Sequence, residues 1–154
     1  MGNNYIFRIL YTLFLFFTCI GYGKAANPSY YFQQLGLDKG LSQTTVHCIL
    51  ADNKGLIWIG TASGLNCFDR YDMKSYFHEK DNPHSLPGNT IYFIAEDAEN
   101  NIWISTNNGL TLYDKSSDSF RPAKFEDKAI ISYSCCPLSG SILFTANEGI
   151  YIYD

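Results

Sequence analysis

Short apolar runs alternate with polar turns along most of this chain, and the whole pattern repeats after 45 residues. Residues 41–69 and 86–114 match position by position without an insertion. The identical pairs are Leu41/Leu86, Thr45/Thr90, Ile49/Ile94, Asp52/Asp97, Ile57/Ile102, Trp58/Trp103, Thr61/Thr106, Gly64/Gly109, Leu65/Leu110 and Asp69/Asp114. A fixed period of this length is typical of repeated supersecondary units.

Each copy has the short apolar period of β-strands. Three clear runs and a weaker fourth are residues 45–51, 57–59, 65–68 and 73–78. They are rich in β-branched and aromatic side chains, and residues 52–55 and 62–64 between them suit tight hairpin turns. Residues 81–89 then connect one copy to the next. A helical solenoid is excluded because no apolar stripe follows the i, i+3, i+4 spacing.

Four antiparallel strands per 40–45 residues is the composition of a β-propeller blade. A third, weaker copy spans residues 141–154, where Gly149 and Tyr153 repeat Gly109 and Tyr113 at a step of 40. We predict an all-β fold of about three four-stranded antiparallel blades. The propeller is incomplete, because propellers close with about four to eight blades.

The predicted organisation has five parts. These are a signal peptide (residues 1–25), an N-terminal strand and lead-in (26–40), blade 1 (41–85), blade 2 (86–125) and a partial, degenerate blade 3 (126–154). A strand at residues 30–33 would complete the last blade of a closed ring.

The amino terminus resembles a secretory signal. Arg8 precedes the apolar residues 9–20, and small residues follow, so we expect cleavage near Gly23 or Ala25. The alternative is a retained membrane anchor, although the run is shorter than the roughly 20 apolar residues that a span needs. Cys19 leaves lipidation as a minor alternative.

Composition limits the function classes. The chain of 154 residues is 46% hydrophobic and 17% charged, which predicts a folded globular protein. Its net charge is -4 and its Lys and Arg residues are scattered, so a nucleic-acid surface is not expected.

The cysteines beyond the signal are predicted to be unpaired. Cys48 and Cys67 occupy positions where the second copy has Phe93 and Leu112, which indicates core packing. On the first and third strands of a blade they would lie roughly 9 to 10 Å apart, too far for a disulfide. The adjacent cysteines 135–136 would point to opposite faces of a strand.

The repeated tryptophans and aspartates are interpreted as structural. Trp58 and Trp103 lie at equivalent strand positions and should pack in the core. Asp52 and Asp97 each precede a turn, where a carboxylate can accept hydrogen bonds from the backbone N–H groups. A calcium loop starting at Asp52 is disfavoured because Lys54 stands at a ligand position.

No catalytic, metal or cofactor site is predicted. The three histidines, His47, His78 and His84, lack the short spacing of a zinc site, and no nucleophile motif such as G-x-S-x-G occurs. Four carboxylates could hold a sugar or form a glycosidase pair, Asp69, Asp72, Glu79 and Asp81. Four aromatic residues could stack on a sugar or pack between blades, Tyr71, Tyr76, Phe77 and Tyr92. The ligand-binding residues stay unassigned.

The repeat resembles the two-component regulator propeller repeat. In the first copy the resemblance rests on Gly40-Leu41-Ser42, Val46, Ile49, Asp52, Gly55, residues 57–61, Gly64-Leu65 and Phe68-Asp69. In the second it rests on Ser85-Leu86, Ile91, Ile94, Glu96-Asp97, residues 101–106, residues 108–110 and Tyr113-Asp114. The third copy departs, with Leu143 in place of tryptophan and Ala146 in place of threonine.

This resemblance implies the periplasmic sensor region of a hybrid two-component histidine kinase of the kind common in Bacteroides-type bacteria. The family senses carbohydrate breakdown products and anchors the sensor in the inner membrane. The sequence holds no kinase histidine motif or ATP-binding glycine set, so we expect no enzymatic activity. The expected partners are a carbohydrate-derived ligand and the remaining blades or a second protomer of the parent sensor.

Two alternatives to a sensor remain open. One is an exported propeller enzyme or binding protein that acts on polysaccharide, and the other is a truncated, non-functional remnant. Because three blades leave unpaired faces and edges, the isolated chain is expected to associate or misfold. A monodisperse monomer that melts cooperatively would count against this expectation.

Overall fold

The computed structural model describes residues 8–11, 31–125, 128–138, 141–146 and 149–153. The chain divides into two units, residues 1–33 and 34–154. In the first unit, residues 8–11 are helical, and most of the predicted signal peptide lies outside the described residues. No helix within the described ranges is both long and apolar enough to cross a membrane.

The predicted N-terminal strand does not form where the structure can be followed. Residues 31–36 are irregular, and a 3-10 helix, Leu37–Lys39, follows them. Residue 30 lies outside the described ranges. A β-strand needs a neighbouring strand to satisfy its backbone groups, and residues 31–36 are paired with none of the sheets described below.

Two four-stranded antiparallel sheets form the first two blades. Blade 1 contains β1 (Val46–Ala51), β2 (Ile57–Thr61), β3 (Gly64–Phe68) and β4 (Met73–Tyr76) in the order β1-β2-β3-β4. Blade 2 contains β5 (Ile91–Glu96), β6 (Ile102–Thr106), β7 (Gly109–Asp114) and β8 (Ser119–Pro122) in the same order. Both blades carry a bulge at the same place in the first strand pair, between Val46 and Cys48 and between Ile91 and Phe93.

The third sheet has three strands among the described residues, one fewer than blade 1 or blade 2. It consists of β11 (Ser132–Leu138), β12 (Ser141–Ala146) and β13 (Gly149–Tyr153). A two-stranded hairpin, β9 (Lys124–Phe125) with β10 (Lys128–Ala129), precedes it. Gly149 has φ +138°, close to the +137° of Gly109, so the third strand of both sheets begins at a glycine with a positive φ, which other residues rarely adopt.

Two apolar clusters join neighbouring blades face to face. The first, between blades 1 and 2, contains Trp58, Leu65, Leu86, Ile91, Ile94, Ile102, Ile104 and Phe120. The second, between blades 2 and 3, contains Phe93, Ala95, Trp103, Leu110, Ile142 and Phe144. The prediction of antiparallel blades packed as in an incomplete propeller is therefore confirmed. Blade 2 is covered on both faces, by blade 1 and by blade 3.

The two outer faces of the set differ. On blade 1, residues 40–42 cover part of the sheet: Leu41 is buried, the Ser42 backbone N–H donates to Asn66 Oδ1 at 2.9 Å, and the Ser75 hydroxyl donates to the Gly40 carbonyl at 3.1 Å, whereas Ile49 of β1 is 66% exposed. On blade 3, the side chains of Ile150 and Ile152 are 68% and 64% exposed. Their counterparts in blade 2, at residues 110 and 112, face blade 3.

The cysteines that the structure describes are free thiols, as predicted. Burial raises the pKa of Cys48 to about 11, and burial followed by the negative charge of Asp52 raises that of Cys67 to about 11. Burial has the same effect on Cys135. These thiols are therefore unreactive packing groups at neutral pH. Cys135 is half-buried and Cys136 is exposed, as expected for neighbours on opposite faces of a strand.

Candidate functional site

Successive strands run in opposite directions, so each blade has two ends with different loops. The end that carries residues 52–56, 69–72, 97–101 and 114–118 is called the turn end. The end that carries residues 62–63, 77–90 and 107–108 is called the connection end.

At the turn end of blade 1, Asp52 organises both its own turn and the neighbouring tryptophan. Its Oδ1 accepts the backbone N–H groups of Lys54 and Leu56, each at 2.9 Å. Its Oδ2 accepts the indole N–H of Trp58 at 3.1 Å. Trp58 is 1% exposed, so the carboxylate satisfies the polar atom of a core residue. The predicted turn role and the core position are both confirmed.

Blade 2 repeats the arrangement with one bond more. Asp97 Oδ1 accepts the backbone N–H groups of Glu99 and Asn101 at 3.0 and 2.8 Å. Asp97 Oδ2 accepts the Asn101 side-chain amide and the Trp103 indole, both at 2.9 Å. Partial burial raises the pKa of Asp97, but these hydrogen bonds outweigh burial and hold the pKa below its ordinary value.

The sequence analysis did not predict the hydrogen bond from the indole N–H to the carboxylate. The signal was the constant spacing of six residues between the aspartate and the tryptophan in both copies. An antiparallel hairpin of this length places the two side chains beside each other. The pair is therefore structural, and it fixes the orientation of a tryptophan in each blade interface.

Two tyrosines bridge blades 1 and 2 near the turn end. Both the Tyr76 and the Tyr113 hydroxyl donate to Asp118 Oδ1 at 2.7 Å, and Lys74 pairs with Asp118 Oδ2. The Tyr113 ring lies 4.8 Å from the Trp58 ring in an edge-on arrangement. Burial is the largest cause that raises the pKa of both tyrosines, that of Tyr113 to about 12; the contact with Tyr76 lowers the pKa of Tyr113, and Asp118 raises it. Burial raises the pKa of Asp118, but the bonds from Lys74 and the tyrosines outweigh it and lower that pKa.

Two of the three histidine side chains contact backbone carbonyl groups, and His84 is exposed. His47 Nδ1 lies 2.8 Å from the Ile91 carbonyl oxygen, and His78 Nδ1 lies 2.7 Å from that of Leu86. The carbonyl of His84 accepts the backbone N–H of Phe120 at 2.8 Å, which ties the connection to blade 2. Among the described residues, no three His, Cys, Asp or Glu side chains are grouped so as to hold a metal ion.

An open groove of about 430 Å³, lined by both polar and apolar residues, lies at the connection end between blades 1 and 2. Its lining residues are His78, Glu79, Lys80, Asp81, Asn82, Pro83, Ser85, Leu86, Pro87 and Pro122. Within it, Glu79 Oε2 accepts the Asn82 amide at 2.8 Å, and the Ser85 hydroxyl donates to the Asn82 carbonyl, also at 2.8 Å. The groove thus offers carboxylates, an amide and a hydroxyl on a loop that its own hydrogen bonds hold in place.

The structure separates the four candidate carboxylates into two pairs. Glu79 and Asp81 line the groove, whereas Asp69 and Asp72 lie at the turn end, beyond the other end of β4. Asp69 Oδ1 accepts the backbone N–H groups of Tyr71 and Asp72, and these bonds lower its pKa. Asp69 is thus a turn residue like Asp52.

The candidate aromatic residues are also separated. Tyr71 is 89% exposed at the turn end, and Phe77 is partly exposed at the connection end. Tyr76 belongs to the tyrosine bridge, and Tyr92 packs on Tyr133 with ring centroids 5.5 Å apart. They do not form one stacking surface.

Comparison with known proteins supports the blade assignment. Residues 40–63 and 85–108 match the family model described as two component regulator propeller. A histidine kinase, P4, from Formosa agariphila is 33% identical over 86 residues, which cover 56% of this chain and 6% of the kinase. The chain therefore spans a small fraction of that relative.

Two solved structures of the same B. thetaiotaomicron protein, BT4673, share the fold. One is described as the extracellular domain of a one component system. It has a TM-score of 0.63 and 22% identity, and the match covers 82% of this chain and 19% of that one. The other is described as the extracellular domain of a hybrid two component system from the same organism, with a TM-score of 0.60 and the same identity and coverage. At this identity the likeness concerns the fold alone.

Proposed function

We propose that this chain, two segments of which match the two component regulator propeller model, forms part of the ligand-sensing region of a two-component sensor. The observation that carries the proposal is the repeated blade unit, in which the matched segments 40–63 and 85–108 each build a complete aspartate–turn–tryptophan hairpin. The named relative is a histidine kinase, but the aligned 86 residues cover 6% of it, so kinase activity would belong to other parts of a parent protein.

The proposed location of this region is the periplasm, with the parent anchored in the inner membrane. Two observations support it: residues 9–20 have the composition of a signal sequence, and the structural relative, solved twice, is an extracellular domain. Alkaline phosphatase fused after residue 40 should be active in cells, because that enzyme needs export to fold. An inactive but intact fusion would oppose this location.

The proposed ligand is derived from carbohydrate and contacts the connection-end groove. The groove supports this because sugar hydroxyls need the acceptors and donors that Glu79, Asp81 and Asn82 present. We expect at least one class of oligosaccharide to give saturable heat when titrated into the chain by calorimetry. Asp81→Ala should weaken that binding about tenfold, which corresponds to about 1.4 kcal/mol.

The matched control is Asp72→Ala, which removes a carboxylate at the turn end and should leave the affinity unchanged. Equal loss of affinity in both variants would contradict the placement of the ligand in the groove.

To test for degradation, the same oligosaccharides are incubated with the protein and assayed for new reducing ends. New reducing ends would favour the polysaccharide-degrading alternative over a sensor, and absence of binding to the whole panel would overturn the carbohydrate proposal.

The exposed face of blade 3 is proposed to contact a further blade of the parent or a second protomer. Ile150 and Ile152 support this, because their counterparts in blade 2 pack against the next blade. The isolated chain should therefore self-associate, and Ile150→Lys/Ile152→Lys should shift it toward monomer, as measured by sedimentation velocity. Tyr71→Lys, also on an exposed side chain, is the control. A wild-type chain that stays monomeric at high micromolar concentration would contradict this proposal.

A further inference from the structure

We propose that the cavity between blades 2 and 3 is a binding site for a small molecule with a single aromatic ring. The cavity has a volume of about 190 Å³. Its walls include Trp103, Leu110, Leu112, Ala123, Phe144 and Tyr153. The cavity lies in a different blade interface from the connection-end groove, so this proposal does not depend on the proposed carbohydrate ligand.

The cavity lies where the two blade interfaces differ in the residue opposite the leucine of the third strand. In blade 1, Tyr76 stands opposite Leu65 across the β3–β4 pair. In blade 2, the residue opposite Leu110 is Ala123, whose backbone N–H donates to the Leu110 carbonyl at 2.8 Å. Leu65 and Leu110 are equivalent in the repeat, so Ala123 occupies the place of Tyr76.

In the first interface the tyrosine ring fills this place. The Tyr76 ring centroid lies 6.2 Å from that of Trp58 and 5.3 Å from that of Phe120. Among the buried residues of that interface, Trp58 and Leu65 pack together, and Tyr76 packs against them.

In the second interface the alanine methyl group leaves the space open. Phe144 stands where the first interface has Ile104, and its ring centroid lies 5.1 Å from that of Trp103. This larger ring takes up part of the volume, but the cavity of about 190 Å³ remains beside it.

The size and the walls of the cavity favour an aromatic ring. An apolar cavity of about 150 Å³ is large enough to bind benzene. Trp103 is already flanked by Tyr153 at 4.7 Å in an edge-on arrangement, and a further ring can pack against these rings in the offset or edge-on geometry that aromatic pairs prefer. Lys124 also lines the cavity and can serve as donor to a hydroxyl substituent.

The probe is p-cresol, which has the covalent structure of the missing tyrosine side chain. Titrated into the full chain, it should bind saturably at one site, with nuclear Overhauser contacts from its ring protons to the indole of Trp103 and not to that of Trp58. Cyclohexanol, similar in size but not aromatic, should bind at least tenfold more weakly. Equal affinity of the two probes would overturn the aromatic preference, and absence of saturable p-cresol binding would overturn the site.

Filling the cavity from within should block the probe. In Ala123→Tyr the new ring occupies the place that Tyr76 fills in the first interface, so p-cresol affinity should fall at least tenfold. Ala51→Tyr adds the same side chain at an exposed position of β1 and should leave the affinity unchanged. Ala123→Leu, a smaller filling, provides a second blocked variant if the tyrosine variant folds poorly. Undiminished binding in a folded variant of residue 123 would overturn the proposal.

Discussion

Replacing Trp58 with alanine is expected to lower the free energy of unfolding by about 3–5 kcal/mol, the range for a large aromatic residue removed from a core. Trp58 is 1% exposed and packs between blades 1 and 2 against Tyr113. Because a domain is stabilised by only about 5–15 kcal/mol in total, this one change should leave much of the population unfolded. Urea unfolding followed by circular dichroism measures the change.

Trp58→Phe and Tyr71→Ala are the two comparisons for this experiment. Trp58→Phe keeps most of the packing but deletes the N–H that Asp52 accepts, so the loss should be about 1–2 kcal/mol. Tyr71 is 89% exposed, and its replacement by alanine should change stability by less than about 0.5 kcal/mol. If the alanine variants at 58 and 71 were equally stable, the interblade role of Trp58 would be wrong.

The parts of the fold that the sequence predicted are those that each copy builds locally. The strands around Trp58 and Trp103 follow from short apolar runs between turn residues, and those runs need no partner blade to be recognised. The turn role of Asp52 and Asp97 followed from their position before a tight turn. The repeat also predicted the register of the first three strands of each blade, because equivalent residues of the two copies lie in equivalent environments.

The contacts between blades could not be predicted in the same way. Asp118 meets Tyr76 across 42 residues of sequence, and their meeting depends on how blade 1 packs on blade 2. The chain also departs from the 45-residue step there. Met73 pairs with Phe68, five residues before it, whereas Phe120 pairs with Tyr113, seven residues before it, so the second turn is two residues longer.

The longer turn explains both the tyrosine bridge and the open cavity. Asp118 lies within it and has a positive φ of 52°, a conformation that aspartate tolerates better than most residues. At a fixed step of 45 residues, Tyr76 would correspond to Arg121, a residue of ordinary size that gives no hint of a cavity. The pairing in the sheet assigns the place to Ala123 instead, so the cavity is visible only once the register is known.

The candidate ligand site was the least predictable part. Glu79 and Asp81 were separable from Asp69 and Asp72 only after β4 was placed between them, because sequence distance does not determine which end of a strand a loop occupies. The pairing of β9 with β10 ahead of the third sheet was likewise not predicted. The weak third copy offered no repeated turn from which to predict that hairpin.

Replacing Asp97 with alanine should lower the free energy of unfolding by about 2 kcal/mol at neutral pH, and this difference should shrink in acid. The variant leaves the indole N–H of Trp103 and the backbone N–H of Asn101 without their charged acceptor, and bonds to charged groups contribute about 1.5–3 kcal/mol each before water at this partly exposed turn replaces some of them. Chemical unfolding of both proteins between pH 7 and pH 2 measures the difference.

The sign of the pH dependence follows from the direction of the Asp97 pKa. That pKa is lower in the folded protein than in the unfolded chain, so the carboxylate stabilises the fold fully above the unfolded value near 3.9. The stabilisation is lost as the pH falls through the lower folded pKa. Asp72→Ala, at another turn of the same end, is the control and should run parallel to the wild type. A difference between wild type and Asp97→Ala that stays constant down to pH 2 would mean that Asp97 acts by packing and not through its charge.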